Sequence, residues 1–205
     1  MTLLNYTDAA TIRGAMGGQE TVQDTLLDKF AGIASRSVDH ICAQTSDPDC
    51  QNYFKLEDVA NEILTNGSVD NNGHIVCYPH KSFIQSVSAF GWSTVPGTPQ
   101  VTADPATIVV KSRSVEVWTD ATAWRGKPFL ITISYRGGMA TELAGLDPLL
   151  VDAATVLAIR KYKEERSGMS DVVGVVELGT IQYSTGIPAS VVRDLQPFQR
   201  VTPWT

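Results

Sequence analysis

Six side chains in the sequence are of the types that ligate metals or act in nucleophilic catalysis: His40, Cys42, Cys50, His74, Cys77 and His80. Zinc sites combine Cys and His at short, regular spacings such as C-x2-C. His40 and Cys42 form H-x-C, and the next cysteine follows only eight residues later, so no such spacing is present. We therefore predict no metal site, and we interpret the thiols as packed core residues and His40 as a surface residue.

A nucleophile–base pair is conceivable in the segment CYPH, where Cys77 and His80 lie three residues apart. No G-x-S-x-G motif accompanies the serines, so a Ser–His–Asp triad has no local support. Phosphate-binding and dinucleotide-binding glycine motifs are also missing from the sequence. We interpret CYPH as a strand end followed by a loop, and we expect no enzymatic activity, no catalytic residue and no cofactor.

Composition and charge limit the classes of function that the chain can have. The chain has 205 residues, 43% of them hydrophobic, which is enough for a core without a disulfide or a metal. It carries 16 basic and 22 acidic residues, with no Lys/Arg run longer than two, so it makes a poor general nucleic-acid binder. The odd number of cysteines favours free thiols. With no signal-peptide pattern and no long apolar run, we expect synthesis in a cytoplasm and no membrane association.

The N-terminal quarter has helical periodicity. Thr7 is the predicted N-cap of a short helix over Asp8–Ala15, and a second helix is predicted over Gln19–Gln44. Its apolar stripe consists of Val22, Leu26, Phe30, Ile33, Ser37 and Ile41, widened by Leu27, Ala31, Ala34 and Val38. A stripe this broad indicates a helix that buries one whole face.

The middle of the chain, from about Tyr53 to Tyr135, has the period-two pattern and turn residues of β-structure. The predicted strands are His74–Pro79, Phe83–Trp92, Thr107–Val110, Val115–Asp120 and Phe129–Tyr135. Trp92 and Trp118 fall within these patterns, so we expect both to lie in the core.

Helical periodicity returns after Gly137-Gly138. Asp147 is the predicted cap of a helix that begins at Pro148, continues to Ser167 and is followed by Gly168. Its predicted buried face consists of Leu150, Ala154, Leu157, Ala158 and Tyr162. Its charged half offers the pairs Arg160–Glu164 and Lys161–Glu165. A short helix over Pro188–Leu195 and an extended tail are expected to follow.

This order of elements predicts an α+β fold. Helices from both ends of the chain must meet to bury their apolar faces, so they are expected to form a bundle into which an antiparallel β subdomain is inserted. The predicted parts are residues 1–50 and 139–196 for the bundle, 51–138 for the β subdomain and 197–205 for the tail. A tail with an aromatic residue such as Trp204 is either disordered or anchored in a partner.

Two segments carry a resemblance to a known family. YTDAATIRGAMGGQETVQDTLLDKFAGIASRSVDHI resembles the opening of head–tail connector (adaptor, or head-completion) proteins of tailed bacteriophages, with a short helix, a glycine break and a long helix. AATVLAIRKYKEERSGMSDVVGVVELGTIQYSTGIPASVVRDLQPFQR is similar to their other end, where a helix leads into a Gly/Ser-punctuated linker, a short helix and a tail. The resemblance covers roughly residues 5–45 and 140–200.

The resemblance implies a structural virion protein at the neck, made in the cytoplasm of a bacterial host. Such proteins form a homo-oligomeric ring, usually twelvefold, below the portal protein, and they dock the stopper or tail proteins. Genomic DNA passes through the ring without specific binding. By position, the family's portal contact maps to Ile187, Val191, Val192, Leu195, Phe198, Arg200, Val201 and Trp204.

Other classes of function remain open at this point. A tail-terminator or tail-associated assembly subunit is one alternative, although such subunits are dominated by β-structure. A small-molecule binding module or a hydrolase is another, and would require convergent polar residues in a pocket. The β subdomain is larger than the hairpin of many connectors, and it has three candidate positions: the tail side, a neighbouring subunit or the outside of the neck.

Overall fold

The computed structural model describes residues 3–18, 22–43, 52–65, 67–96, 99–167, 172–175, 179–182 and 187–200. These residues form four α-helices, namely α1 (Ala9–Ala15), α2 (Asp24–Ala43), α3 (Pro148–Ser167) and α4 (Ala189–Leu195). They also form ten strands, namely β1 (Glu57–Leu64), β2 (Ser68–Val69), β3 (Ile75–Cys77), β4 (Ser86–Ser93), β5 (Val101–Thr102), β6 (Ile108–Val110), β7 (Val115–Val117), β8 (Leu130–Gly137), β9 (Val172–Val175) and β10 (Gly179–Gln182). The predicted α+β class is confirmed.

The chain divides into two compact units. The first, here called the helical unit, comprises Met1–Asn52 and Glu142–Gln199. The second, here called the β unit, comprises Tyr53–Thr141 and Arg200–Thr205.

The first helix of the helical unit begins one residue later than predicted. Asp8, and not Thr7, is the N-cap of α1, because its Oδ1 accepts a hydrogen bond from the Thr11 backbone N–H at 2.8 Å. The bonds to Thr11 lower the pKa of the Asp8 carboxyl. Thr7 is instead fully buried, and its hydroxyl shares a 2.8 Å hydrogen bond with that of Thr155. The local sequence pattern allows either Thr7 or Asp8 as the N-cap. Asp8 takes that position because the Thr7 hydroxyl is bonded to Thr155 on α3.

The second helix is shorter than predicted, and its buried face is rotated. It begins at Asp24 and ends at Ala43; residues 19–21 and 44 lie outside the described part of the chain. The buried residues are Leu27, Phe30, Ala31, Ala34, Ser35, Val38, Asp39, Cys42 and Ala43. Of the predicted central stripe only Phe30 is buried, whereas Ile33 is 39% exposed. Small residues form much of the buried face, since they let neighbouring elements approach closely.

The third helix follows its prediction closely. The Leu149 backbone N–H donates to Asp147 Oδ1 at 2.9 Å, which confirms the cap, and every residue of the predicted apolar face is buried. Phe30 on α2 packs edge-on against Tyr162 with their ring centroids 5.9 Å apart. The Arg160–Glu164 pair forms at 3.0 Å. The predicted Lys161–Glu165 pair is wrong, because Glu165 forms its ion pair with Lys29 of α2, with 3.1 Å between Oε2 and Nζ.

A buried carboxylate joins three separate stretches of the helical unit. Asp39 on α2 has no solvent exposure. It accepts hydrogen bonds from the Tyr6 hydroxyl and, at 3.0 Å, from the Asn52 backbone N–H, and it pairs with the Arg36 guanidinium at 2.8 Å. Arg36 also donates to the Leu4 carbonyl, while the Asn52 side chain accepts from the Leu4 N–H at 2.8 Å. Burial of this charge is compensated only because all these partners are present at once.

We expect Asp39→Ala to lower the free energy of unfolding of the helical unit by about 3 kcal/mol, because it leaves Arg36 and a backbone N–H without their buried acceptor. Urea unfolding followed by circular dichroism at 222 nm measures the change. Asp24→Ala is the matched control: its side chain is 65% exposed, so its ion pair with Arg13 contributes less than about 1 kcal/mol. Equal losses in the two variants would contradict the role of Asp39.

The β unit contains two four-stranded antiparallel sheets. The strand orders are β1-β8-β4-β5 in the first sheet and β2-β3-β7-β6 in the second. Side chains from both sheets share one apolar core, which includes Phe90, Ile131 and Ile133 from the first and Ile75 and Val117 from the second. All strands named in the sequence-based prediction are present, in shorter or shifted form, whereas β1, β2 and β5 were not among them.

Two details of the predicted strands are wrong. The alternation over Phe83–Trp92 is interrupted because the register of β4 against β8 shifts between Val87 and Ala89. Trp92 is buried as predicted, but Trp118 is 55% exposed. It follows β7, whose inward residues Val115 and Val117 alternate with outward ones, so the next residue points away from the core.

Two backbone segments pack tightly against each other where the chain enters and leaves the β unit. Gly138, just after β8, has φ +111°, and a Cβ atom there would overlap the carbonyl group of Lys55. Beside it, the Leu56 N–H donates to the Ala140 carbonyl at 2.8 Å. The ammonium of the buried Lys81 bonds the Lys55 carbonyl at 2.9 Å and the Glu57 carboxylate at 2.6 Å. The approach of the two backbone segments therefore requires glycine.

We expect Gly138→Ala to destabilise the β unit by about 3 kcal/mol, because it combines an unfavourable φ with backbone overlap. Tryptophan fluorescence during urea unfolding measures it, since Trp92, Trp118 and Trp124 all lie in this unit. Gly126→Ala is the control, with φ +69° and open space around the added Cβ, and a cost of about 1 kcal/mol. A Gly138→Ala variant as stable as the control would show that the backbone relaxes at no cost.

Candidate functional site

The segment that was predicted to contact a partner begins with α4. Pro188 precedes the helix, and the Val192 N–H donates to the Pro188 carbonyl at 3.1 Å. Val191 and Leu195 point into the helical unit and are 2% and 0% exposed. Ile187, in contrast, is 45% exposed. The short helix therefore has one face committed to the core of its own chain and one side open to solvent.

The predicted extended tail is partly wrong. Gln196–Phe198 form a turn of 3-10 helix, and Phe198 is only 6% exposed. Pro197 can occupy the first turn of such a helix because it needs no N–H donor there. Val201 and Trp204, the last two predicted contact residues, lie outside the described residues. Val191, Leu195 and Phe198 are buried and support the fold of the chain, and their predicted contact with the portal stays a prediction.

Arg200 is held within its own chain. Its Nη2 donates to the Tyr78 carbonyl oxygen at 3.0 Å, and its Nε is buried, with no hydrogen-bond partner among the described residues. The bond joins residues 122 positions apart in sequence, within the β unit. Arg200 is thus half-buried and bonded within the β unit, and its predicted contact with the portal stays a prediction.

The surroundings of Arg200 are polar and mostly buried. The Glu62 side chain is 10% exposed; its Oε1 contacts the His80 ring, and its Oε2 is buried without a hydrogen-bond partner among the described residues. The Tyr135 hydroxyl accepts from the Lys81 N–H at 3.1 Å. Burial and the Glu62 charge raise the pKa of Tyr135, while the Arg200 charge acts in the opposite sense. The Glu62 carboxylate and the Arg200 guanidinium therefore shift the pKa of the same hydroxyl in opposite directions.

The candidate catalytic residues do not form a site. Burial, reinforced by the charge of Glu62, raises the pKa of the Cys77 thiol to about 12, so Cys77 is protonated at neutral pH and cannot act as a nucleophile. Burial likewise raises the pKa of Cys42 to about 12. His80 faces Glu62. Within the described residues, no group of three or more His, Cys, Asp or Glu side chains could hold a metal ion, and Cys50 lies outside them.

Sequence reasoning missed two features. The segment interpreted as a linker contains the antiparallel hairpin β9–β10, in which Val172–Val175 pair with Gly179–Gln182. Its valines and isoleucine around a short connection were the available signal. The exposed Trp118 ring stacks on the His74 ring at 5.5 Å and 12°, and its Nε1 donates to Glu116 at 3.3 Å. No local pattern in the sequence predicts that stack. Among the described helices, none has the length and apolar character needed to cross a membrane.

Comparison with known proteins shows that solved structures share the fold of this chain. No family model and no curated protein matches the chain. A chain in the solved structure of the neck of an empty GTA particle, computed with C6 symmetry, superposes with a TM-score of 0.50 at 13% identity, covering 96% of this chain and 90% of that one. A chain in the virion of a native gene transfer agent (GTA) particle gives a TM-score of 0.52 at 10% identity with the same coverage.

The likeness spans nearly the whole chain and shows a shared fold. One of the two superposed chains comes from a particle neck, the place that the resemblance to head–tail connector proteins implies. The sequence resemblance covered only the terminal segments, whereas the structural likeness extends through the β unit.

The burial pattern of α4 generates a prediction. Leu195→Ala is expected to lower the free energy of unfolding of the helical unit by about 3 kcal/mol, because it opens a cavity in a closed core. Ile187→Ala, at an exposed position, is expected to change it by less than about 0.5 kcal/mol. Circular dichroism at 222 nm during urea unfolding measures both. A Leu195→Ala variant with undiminished stability would mean that α4 is not docked in the free chain.

Proposed function

We propose that this protein is a non-enzymatic structural component of the neck of a phage-like particle, and specifically a head-to-tail adaptor. Copies of the chain form a ring, of twelve subunits, below the portal protein. The ring extends the DNA channel and docks the stopper or tail proteins. The single observation that carries the proposal is the shared fold over 96% of the chain with a protein from a particle neck.

The burial pattern of the C-terminal segment supports a role in docking. Its buried side chains fix α4 on the helical unit, while Ile187 is exposed and open to a partner. Short segments of this kind bind by inserting a few spaced apolar side chains into a partner's groove. Val201 and Trp204 supply such side chains, and we assign the portal contact to them and to Ile187, with Val192 at the edge.

The charge distribution supports passage of DNA through the ring. The helical unit contains fifteen acidic and eight basic residues, whereas the β unit contains seven acidic and eight basic ones. A channel lined with negative charge repels phosphates and lets DNA slide without retention. We therefore propose that the helical unit lines the channel and that the nearly neutral β unit meets protein neighbours.

Deleting Val201–Thr205 while keeping Arg200 tests the docking role. We expect the truncated chain to retain the unfolding free energy of both units, since these residues follow the last described side-chain contact at Arg200. We expect it to lose binding to the purified portal protein of its particle. Electron microscopy of the mixture is the measurement: the complete chain gives an added ring below the portal, and the truncated chain gives bare portals.

Two outcomes would count against the proposal. If the truncated chain still adds a ring, the C-terminal residues are not the portal contact. If the complete chain adds no ring to the portal but binds purified tail-tube protein, the chain is a tail-associated subunit.

A further inference from the structure

The side of α3 that faces away from the core carries a regular row of side chains, here called the outer stripe. Its members recur at alternating steps of three and four residues, and none of them is buried: Leu149, Asp152, Val156, Ile159, Lys163 and Arg166. Leu149 is 48% exposed and Val156 38% exposed. The residues between them that point into the helical unit, such as Leu150, Ala154 and Leu157, are buried. The helix therefore has two faces with apolar residues, and the fold uses only one of them.

The spacing of the outer stripe is the one by which two helices pack side by side. Alternating steps of three and four residues place side chains in a single line along a helix, and two such lines interlock when helices pair. The centre of the line in α3 is apolar, with Val156 and Ile159. Charged residues lie on both sides of that centre, with Asp152 before it and Lys163 after it.

These two charges have no partner within the described part of the chain. Asp152 and Lys163 are exposed, and neither forms an ion pair or a side-chain hydrogen bond there. Arg160 and Lys161 of the same helix, in contrast, both pair with Glu164 at 3.0 Å. The outer stripe therefore presents one unpaired negative charge and one unpaired positive charge to whatever packs against it.

The outer stripe is complementary to itself when two copies of α3 lie side by side in opposite directions. Val156 and Ile159 are equally far from the midpoint of the stripe, and so are Asp152 and Lys163. A single antiparallel register therefore places Val156 against Ile159 of the second copy and, at the same time, Asp152 against Lys163. A parallel pair in register would place each charge against its own like, which is unfavourable.

We infer that the outer stripe is a two-fold interface between two copies of the free chain, with the α3 helices antiparallel and Asp152 of each copy paired with Lys163 of the other. Such a contact uses the same face of both copies, whereas the contacts that close a ring around one axis join different faces. The inference therefore goes beyond the proposed function and does not rest on it.

The size of the contact predicts a reversible dimer. α3 has 20 residues and is therefore about 30 Å long. A contact one helix wide and of this length is smaller than the roughly 800 Å² per partner of a standard stable interface. We expect the purified chain to exchange between monomer and dimer between about 5 and 500 µM, which sedimentation velocity measures directly.

Charge reversal tests the pairing without disturbing the core, because both side chains are exposed. Asp152→Lys and Lys163→Asp each place two like-charged pairs in the dimer, one on either side of its axis. Each is expected to weaken association about tenfold. An equimolar mixture of the two variants restores both attractive pairs in a mixed dimer, and the double variant restores them between identical chains. Association in the mixture and in the double variant is therefore expected to return to that of the original chain.

Two further variants complete the experiment. Lys161→Asp is the matched control, because the Lys161 side chain is 46% exposed, carries the same charge and lies off the outer stripe, where it pairs with Glu164. It is expected to leave association unchanged. Val156→Asp puts a charge at the apolar centre of the interface and is expected to abolish the dimer. Circular dichroism at 222 nm verifies that each variant is folded.

Three results would overturn the inference. A chain that remains monomeric at the highest concentration has no such interface. Species larger than a dimer would mean that the outer stripe packs against a different face of the next copy. A dimer that neither charge reversal weakens, or that the mixture does not restore, would mean that the two copies pair in another way. None of these measurements includes the portal protein, so the proposed function stands or fails separately.

Discussion

The helical unit depends on one buried charge. Asp39 has no exposure to solvent, and its desolvation is compensated by the Arg36 guanidinium, the Tyr6 hydroxyl and the Asn52 backbone. These partners come from the segment before α1, from α2 and from the end of the unit's first stretch of chain. A carboxylate that must find three partners excludes most alternative packings, because each leaves a charge or an N–H unsatisfied. The apolar faces of the helices then close around this arrangement.

The β unit is organised by a different constraint, which is the close approach of backbone where the chain enters and leaves. Gly138 permits that approach, and the Lys81 ammonium neutralises Glu57 while bonding the carbonyl of Lys55. The two sheets can then fill one core from both sides, with Ile75 and Ile131 among its fully buried members. Residues that the core does not use, such as Trp118, remain at the surface.

Two kinds of interaction hold the described end of the chain. Burial ties α4 and Phe198 into the helical unit, and a hydrogen bond to the Tyr78 carbonyl ties Arg200 into the β unit. Apolar packing and one directional hydrogen bond therefore fix successive parts of one short stretch of chain.

The sequence by itself determined the α+β class, the cap and buried face of α3, and the positions of most strands in the middle of the chain, because these depend on local propensity and periodicity. Tertiary structure decided what local pattern leaves open. The buried face of α2 is rotated toward its alanines, and Asp8 replaces Thr7 as the cap because Thr155 engages the threonine. Nothing in the local sequence pairs Arg200 with Tyr78, and only the fold brings the two together across 122 residues. Long-range pairing of polar groups has no periodic signature, so three-dimensional packing alone assigns it.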